Sequence, residues 1–339
     1  MHPIRASLIG IGRYGTKLAE RIKKVPLLTI VSCYHQDLRK AQEFAIKYGC
    51  RPAKDPEDAI FAKDIDAVII ATPDHSHLYY LKLAIEGNRH IFVEKPMVSS
   101  WESALEIKNK ISSYKKVFFV AHNMRREPGF RYIKKEYNSG LLGELVTFQI
   151  SLSHGGAYNW NKDYWRTNEI YCREGPLRVN GVHASDVLEY LFGKIDSVYA
   201  KMNNNSSTQQ APDSGIAFTQ LDKIYGTICT HWIVPSLNQF QFQFTNALVN
   251  YDLINLEIRY GKDIDCIPTT PKEITLQKTN GRLEQIEEFV KAISLGTQIE
   301  TGFHEGFRAV MFFEACYRSH IQNRQVNLSE LTDDERINF

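Results

Sequence analysis

The chain has 339 residues, 43% hydrophobic and 24% charged, an ordinary globular composition with room for two domains. Lys and Arg number 41 against 39 Asp and Glu, so the formal charge is only +2, which argues against a protein built mainly to hold nucleic acid or an anionic membrane. No apolar run approaches the roughly 18 residues of a membrane helix, and the N-terminal stretch reaches glycine too soon for a signal peptide. Six cysteines, at 33, 50, 172, 229, 266 and 316, form no C-x-x-C pair, so free thiols in a soluble, cytoplasmic protein are expected.

In chain order, Ile4–Ile9 reads as a buried strand and Tyr14–Lys24 as a helix; Leu28–Tyr34 is a second strand and Asp37–Tyr48 a second helix. Ala67–Ala71, His90–Val93 and Val117–Ala121 are further strands, with helices over Leu78–Glu86 and Ser100–Ser112 between them. Asp37, Ser76 and Ser100 stand where N-cap side chains belong. Strands alternating with helices predict an α/β domain over residues 1–122, with a parallel sheet and right-handed crossovers.

From residue 123 to 339 the pattern changes. Leu145–Ser153, Ser197–Met202, Ile216–Leu221, Tyr225–Trp232, Phe240–Phe244 and Asn255–Tyr260 read as strands. Several are separated by turn-like residues, which favours antiparallel pairing. Asn203–Ser214 is a polar loop, and helices follow over Arg282–Leu295 and His304–Asn323. The expectation is an α+β domain with a large open, mainly antiparallel sheet that walls a substrate cleft.

Gly10-Ile11-Gly12-Arg13-Tyr14-Gly15 matches G-x-G-x-x-G, and it follows a predicted strand and opens a predicted helix. Gly10 would make the tight turn, Gly12 would let the backbone approach a pyrophosphate, and Gly15 would let helix and strand pack closely. Free N–H groups and the helix dipole then favour the anion. The motif predicts a Rossmann-type dinucleotide-binding domain with Gly10, Gly12, Arg13, Tyr14 and Gly15 beside the cofactor. In such folds the second strand often ends in a carboxylate for the ribose 2′-hydroxyl. Here that position falls on His35, and Asp37 reads as a helix cap. With Arg13, Arg39 and Lys40 as basic candidates, the reading leans to NADP(H) over NAD(H). Thr72, Pro73 and His75 follow the third strand's carboxyl end, where open α/β sheets place ligands, and are expected at the cofactor.

Several pieces then occur in order. Ala71-Thr72-Pro73 follows the third strand and Glu94-Lys95-Pro96 the fourth; Arg125-Arg126 stands at the start of the second domain, and Ser139-Gly140-Leu141-Leu142-Gly143 follows it. Tyr164-Trp165-Arg166 precedes Glu174-Gly175-Pro176 and Gly181-Val182-His183-Ala184-Ser185-Asp186, and the helix around Phe289 and the segment Ala315–Ser319 complete the set. As an ordered set over nearly the whole chain, these resemble the glucose–fructose oxidoreductase/inositol dehydrogenase (Gfo/Idh/MocA) family.

The resemblance implies hydride transfer between nicotinamide C4 and a secondary hydroxyl or ketone of a sugar, sugar derivative or cyclitol. It places Lys95 where it would polarise the reacting oxygen, Glu94 and Lys95 beside the cofactor, and the Lys95–Pro96 peptide as a cis candidate. It also implies a homodimer or homotetramer assembled through the open sheet. His183 is the candidate general acid/base, an imidazole being suited to proton transfer near neutrality, with Asp186 one turn later either orienting it or supporting the helix. Many family members carry an aspartate four residues before this histidine; here it is Val179, so the usual Asp–His pair is missing and inositol specificity is not inherited directly. Asn180, which cannot take a proton, would hold substrate or nicotinamide.

Asn123, Arg125, Tyr164, Trp165 and Arg166 are candidate cleft residues, since aromatic faces and hydrogen-bonding groups suit a polyhydroxylated ring. Each has a structural alternative; Arg166 would instead anchor a loop through a carboxylate. His2, His122, His154 and His231 lack metal-type spacing, and no metal site is expected. Rival readings are a non-catalytic dinucleotide sensor of the same fold, a dehydrogenase of a non-sugar substrate such as a diol or tetrapyrrole, and an S-adenosylmethionine methyltransferase, which shares the glycine loop but leaves Glu94-Lys95-Pro96 unexplained.

Overall fold

A computed structural model of the chain describes residues 3–206, 209–261, 272–277 and 279–332. It divides into two compact units: residues 1–123 with 282–310, and residues 124–281 with 311–339.

In the first unit, β1 (Ile4–Ile9), β2 (Leu28–Tyr34), β3 (Arg51–Pro52), β4 (Ala67–Ile70), β5 (His90–Val93) and β6 (Phe118–Val120) make one sheet in the order β3-β2-β1-β4-β5-β6. Every pairing in it is parallel. The connecting helices are α1 (Arg13–Ile22), α2 (Leu38–Tyr48), α3 (Pro56–Phe61), α4 (His77–Glu86) and α5 (Trp101–Ile111). Helices cover both faces, so β4 is buried at all four positions. The chain runs outward from β1 to β3 and returns at β4, which puts a topological switch point between β1 and β4.

Phe92 stacks on Phe119 at 5.2 Å, and Phe289 meets both rings edge-on at 5.5 and 6.0 Å. With Ile286 and Val290 beside it, Phe289 completes the core of this sheet. That apolar face explains why residues 282–310, which the sequence pattern assigns to the second domain, pack with the first unit. Asp37 and Ser100 cap α2 and α5, accepting from Arg39 N at 3.0 Å and Ser103 N at 3.2 Å. Ser76 precedes α4 but its side chain does not cap it. A 3₁₀ turn over Asp74–Ser76 already holds Ser76 in helical geometry, and its hydroxyl lies 2.7 Å from Pro73 O instead. β3 and α3 escape the sequence pattern because two and six residues carry too little periodicity to read.

The second unit contains α6 (Pro128–Asn138), β7 (Leu145–Ser153), α7 (Glu169–Cys172), α8 (Gly175–Val179), α9 (Gly181–Phe192), β8 (Ser197–Asn203), β9 (Ser214–Leu221), β10 (Ile224–His231), β11 (Leu237–Phe244), β12 (Ala247–Tyr251), β13 (Leu256–Tyr260) and β14 (Lys272–Ile274). After α10 (Gly281–Leu295), α11 (Phe303–Gln322) begins in the first unit and ends in the second, followed by β15 (Val326–Asn327). The nine strands run in the order β14-β13-β12-β11-β7-β10-β9-β8-β15. β7 and β10 pair in parallel, and the remaining neighbours are antiparallel. One face buries Phe148, Ile150, Ile228, Phe240, Phe242 and Val249, with α8 and α9 packed on it. On the other face Tyr199, Phe218, Thr227, Gln149, Gln241 and Asn250 lie in register as one accessible row.

The sequence pattern misses α6, α7, α8, β12, β14 and β15 in this unit. α6 buries only Gly129, Phe130 and Ile133, a stripe too thin to stand out, and β12 joins β11 through a two-residue turn, Thr245-Asn246.

Candidate active site

A crevice of about 360 Å³ opens at the carboxyl ends of β1, β2 and β4. Gly10, Gly12, Tyr34, His35, Gln36, Ala71, Thr72, Pro73, His75, Ser76 and Tyr80 line it. Gly10 has φ +89°, and a Cβ there would stand 2.7 Å from the Ala71 and Thr72 backbone. A Cβ on Gly15 would stand 1.9 Å from the Gly10 carbonyl oxygen, so only glycine lets α1 start this close to β1. Gly12 differs from both: nothing lies within 4 Å of its missing Cβ. It is also the N-cap of α1, and no side chain caps the N–H groups there. Open backbone at a helix N-terminus fits the pyrophosphate of a dinucleotide. Of the other motif residues, Arg13 is exposed outside the lining of the crevice, and the half-buried Tyr14 places its phenol next to the Glu94 carboxyl.

The end of β2 presents Tyr34, His35 and Gln36 to the crevice, none of them a carboxylate. His35 Nδ1 accepts from Asp37 N at 2.9 Å, so in the neutral ring the proton sits on Nε2. The Asp37 carboxylate is occupied with the start of α2.

Glu94 and Lys95 follow β5, and the Lys95–Pro96 peptide is cis. Glu94 is buried, and burial raises its carboxyl pKa; the Lys95 charge and the neighbouring Tyr14 hydroxyl oppose that rise without cancelling it. Burial first, then the Glu94 charge, pushes the Tyr14 phenol up. Lys95 is half-buried on the same turn. His77, the first residue of α4, is fully buried and ties this turn to the crevice. Its Nδ1 lies 2.9 Å from Pro96 O and 3.2 Å from Met97 O, and its Nε2 lies 3.0 Å from Thr72 O. Burial lowers the His77 pKa, against the charge of Asp74 and the surrounding carbonyls. Sequence reasoning missed His77; its only signal is its place just after Pro73 on a helix that must bury one face.

In the second unit, Asn180 ends α8 and begins α9, and His183 stands in the first turn of α9 with its N–H on Asn180 O at 3.0 Å. His183 is half-buried. The Asn180 amide is engaged internally: Nδ2 donates to Leu152 O and Oδ1 accepts from Trp232 Nε1, both at 3.3 Å. Val179 is buried in an apolar cluster with Ala157, Cys172, Ala211 and Trp232, an environment that would penalise the family's usual aspartate. Asp186 takes Arg125 in a two-pronged ion pair, Nε–Oδ2 at 3.1 Å and Nη2–Oδ1 at 2.6 Å, with both side chains buried. Arg125, expected in the cleft, therefore serves the interior of this unit. Asn123 is buried as well, at the end of the first unit's segment.

Tyr164, Trp165 and Arg166 belong to an aromatic group that sequence reasoning saw only in part. Trp160 packs on Tyr164 at 5.0 Å and on Trp232 at 4.9 Å, and Tyr164 lies 5.9 Å from Trp165. His154 stacks 6.5 Å from Trp232 and accepts from Gly156 N at 2.9 Å. The Arg166 guanidinium lies over three rings, Trp165 at 5.1 Å, Tyr164 at 5.7 Å and Trp160 at 5.8 Å. Behind them is an ion-pair knot in which Glu174 holds Arg173 (2.7 Å) and Arg178 (3.2 Å), and Glu314 holds Arg173 and Arg318 (both 2.9 Å). Arg178 in turn lies 5.9 Å from the Trp165 ring. Of the other histidines, His122 is buried, His231 meets Ser214 Oγ at 2.5 Å, and His2 lies outside the described residues. Five cysteines are free thiols and Cys266 lies outside the described residues.

A doubly wound sheet with a glycine cradle at its switch point, followed by a domain with a nine-stranded open sheet, is the build of a dinucleotide-dependent oxidoreductase. The model of the oxidoreductase family with an NAD-binding Rossmann fold (Gfo/Idh/MocA) matches residues 4–122, and that of the Gfo/Idh/MocA C-terminal domain matches residues 130–249. The chain belongs to this family and is an NAD-binding oxidoreductase.

It is 28% identical over 238 residues to 4-carboxy-2-hydroxymuconate-6-semialdehyde dehydrogenase of a Sphingobium species, covering 67% of this chain and 70% of that one. It is 27% identical over 228 residues to scyllo-inositol 2-dehydrogenase (NAD⁺) of Bacillus subtilis, covering 65% and 64%. A crystal structure from Desulfitobacterium hafniense, provisionally assigned as an NADPH-dependent oxidoreductase, superposes with a TM-score of 0.91 at 22% identity over 98% of this chain and 99% of that one.

Proposed function

We propose that this oxidoreductase reversibly oxidises a secondary hydroxyl on a sugar, sugar derivative or cyclitol, with NADP(H) preferred over NAD(H). The observation that carries the reading is the His77 clip: the loop lining the cofactor crevice and the turn bearing Lys95 are held by one buried ring. Cofactor seat and candidate catalytic lysine are thus parts of one rigid arrangement. His35 in place of a carboxylate at the end of β2 supports NADP(H), because nothing there repels a 2′-phosphate. The relative that acts on scyllo-inositol supports a polyhydroxylated substrate.

A nicotinamide bound in the crevice supplies or accepts the hydride. Lys95 donates a hydrogen bond to the reacting oxygen and stabilises its developing negative charge. His183 takes or returns the hydroxyl proton, since Val179 provides no carboxylate for that task. Glu94, whose pKa burial pushes up to about 7, sets a negative charge beside the Lys95 ammonium only once the pH passes that value. The accessible face of the nine-stranded sheet, with Ile216, Phe218 and Tyr225 exposed, is the surface through which a homodimer or homotetramer would form. The Sphingobium relative favours a second reading, a non-sugar substrate for the same hydride chemistry.

Parallel titration with NADH and NADPH, followed by reduced-nicotinamide fluorescence, tests the cofactor. Tighter NADPH binding is expected; tighter NADH binding removes the His35 argument and leaves the dehydrogenase, and binding of neither removes the enzyme reading. Lys95→Ala should keep cofactor affinity and lower kcat by about 10²-fold or more; turnover at the wild-type rate would refute the role of Lys95.

A further inference from the structure

Arg166 is a cation that its own surroundings leave without a counter-charge. Other guanidiniums of the same unit are neutralised: Arg125 by Asp186 at 2.6 Å, Arg173 by Glu174 at 2.7 Å, Arg178 by Glu174 at 3.2 Å and Arg318 by Glu314 at 2.9 Å. Arg166 has three aromatic rings around it and, among the described residues, neither an ion pair nor a hydrogen bond. Its Nε is buried with no acceptor, whereas its two terminal amino groups are not enclosed in that way. The loop-anchoring role through a carboxylate, open at the level of sequence, finds no carboxylate among the described residues.

The chemistry of this seat is specific. Stacked rings hold a guanidinium in a partly dry place through cation–π attraction, which needs no anion. What they leave unanswered is the planar fork of donors, whose matching partner is a pair of oxygens sharing one negative charge, as in a carboxylate or phosphate. The same rings present an apolar wall suited to the C–H face of a pyranose. The group is also linked to the start of α9: Trp160 packs on Trp232, Trp232 donates to Asn180, and Asn180 begins the helix that carries His183.

We propose that Arg166 is a specificity residue that receives an anionic oxygen group of the substrate, with Trp160 and Trp165 against the sugar ring, so that the preferred substrates are acidic sugars rather than neutral ones. This rests on the dehydrogenase reading above and narrows its substrate class.

The test uses NADPH-saturated protein, so that the pyrophosphate seat is filled, at constant ionic strength. D-glucose, D-glucuronate and D-glucose 6-phosphate are titrated against tryptophan fluorescence, and NADP⁺-dependent oxidation of the three is measured in parallel. At least one acid is expected to bind about tenfold or more tightly than glucose, and which acid wins separates a carboxylate from a phosphate ester. Arg166→Gln should bring the acid-to-neutral ratio close to one, and Arg166→Lys, which keeps the charge and loses the fork, should restore part of it. Circular dichroism confirms that the variants fold, and the wild-type ratio decides the matter without them. Glucose binding as tightly as both acids, an acid preference that survives Arg166→Gln, or no saturable response to either acid overturns the proposal. Oxidation of glucose without acid preference removes the anion seat and leaves the dehydrogenase; Arg166-dependent binding of an acid with no turnover of any sugar leaves the seat and removes the dehydrogenase reading.

Discussion

Glu94 and Glu174 are both buried glutamates, and burial pushes both carboxyl groups above the ordinary range, yet they are handled differently. Glu174 sits between Arg173 and Arg178, and each of its oxygens meets a guanidinium. Glu94 has one phenol and a neighbouring lysine, and its Oε1 has no hydrogen-bond partner among the described residues. A saturated carboxylate is part of the frame, because nothing can be added to it. A half-satisfied one keeps electrostatic capacity for a neighbour, here the Lys95 ammonium. The same contrast separates Arg178 from Arg166: one is locked to a carboxylate, the other stacked on rings with its terminal donors open.

The largest expected effect tests the saturated side. Glu174→Ala would leave Arg173 with only Glu314 and Arg178 without its carboxylate in a buried place. Loss of one partner from a buried ion pair costs about 3–5 kcal/mol. Denaturant unfolding of the second unit should show that loss, while NADPH affinity in the first unit stays near wild type. Loss of cofactor affinity in step with stability would end the distinction between frame and site.

Next come two glycines of the same motif. Gly15→Ala drives a Cβ into the Gly10 carbonyl and should destabilise by about 1–3 kcal/mol or more, since a backbone atom cannot swing aside. Gly12→Ala meets empty space. Its cost in stability should stay within about 1 kcal/mol, the scale of an N-cap change, while NADPH affinity falls about tenfold or more because the methyl stands where the pyrophosphate approaches. Thermal denaturation alongside fluorescence titration separates the two, and equal effects on both readouts would show that Gly12 is structural like Gly15.

How much of this was legible in the sequence follows from range. Gly10, Gly12 and Gly15 lie within six residues and their meaning is local, so the cradle could be read directly. The parallel pairing of the first sheet followed from the alternation of strands and helices. What could not be read joins residues far apart: Arg125 with Asp186 across 61 positions, Arg173 with Glu314 across 141, and Phe289 with Phe92 and Phe119. A charged residue in sequence looks the same whether it awaits a ligand or is already paired, which is why Arg125 and Arg166 were indistinguishable as cleft candidates. Val179 was visible as a departure, but its cause, an apolar cluster closed by Trp232 more than fifty residues later, was not.

The smallest effect bears most directly on Glu94. Tyr14→Phe removes the hydroxyl that stabilises the Glu94 carboxylate and nothing else that the fold needs. The folded-state pKa of Glu94 lies above its unfolded value, so the folded protein binds the extra proton and ionisation works against folding. The penalty is absent below the ordinary glutamate range, about pH 4.3, grows as pH rises through the folded pKa, and is complete above it. Without the Tyr14 hydroxyl that folded pKa moves further up and the full penalty increases, by about 1 kcal/mol at most, the scale of one hydrogen bond. Melting curves of wild type and Tyr14→Phe should therefore diverge as pH rises from about 5 toward 8, the variant falling behind, after allowance for any offset already present at low pH. The acid limb of kcat/KM should shift upward in the same variant, because the Lys95 ammonium keeps its anionic neighbour only above the pKa of Glu94. A Tm difference that is the same at every pH would mean that the hydroxyl is mere packing, and that Glu94 takes its ionisation from Lys95 and Arg282.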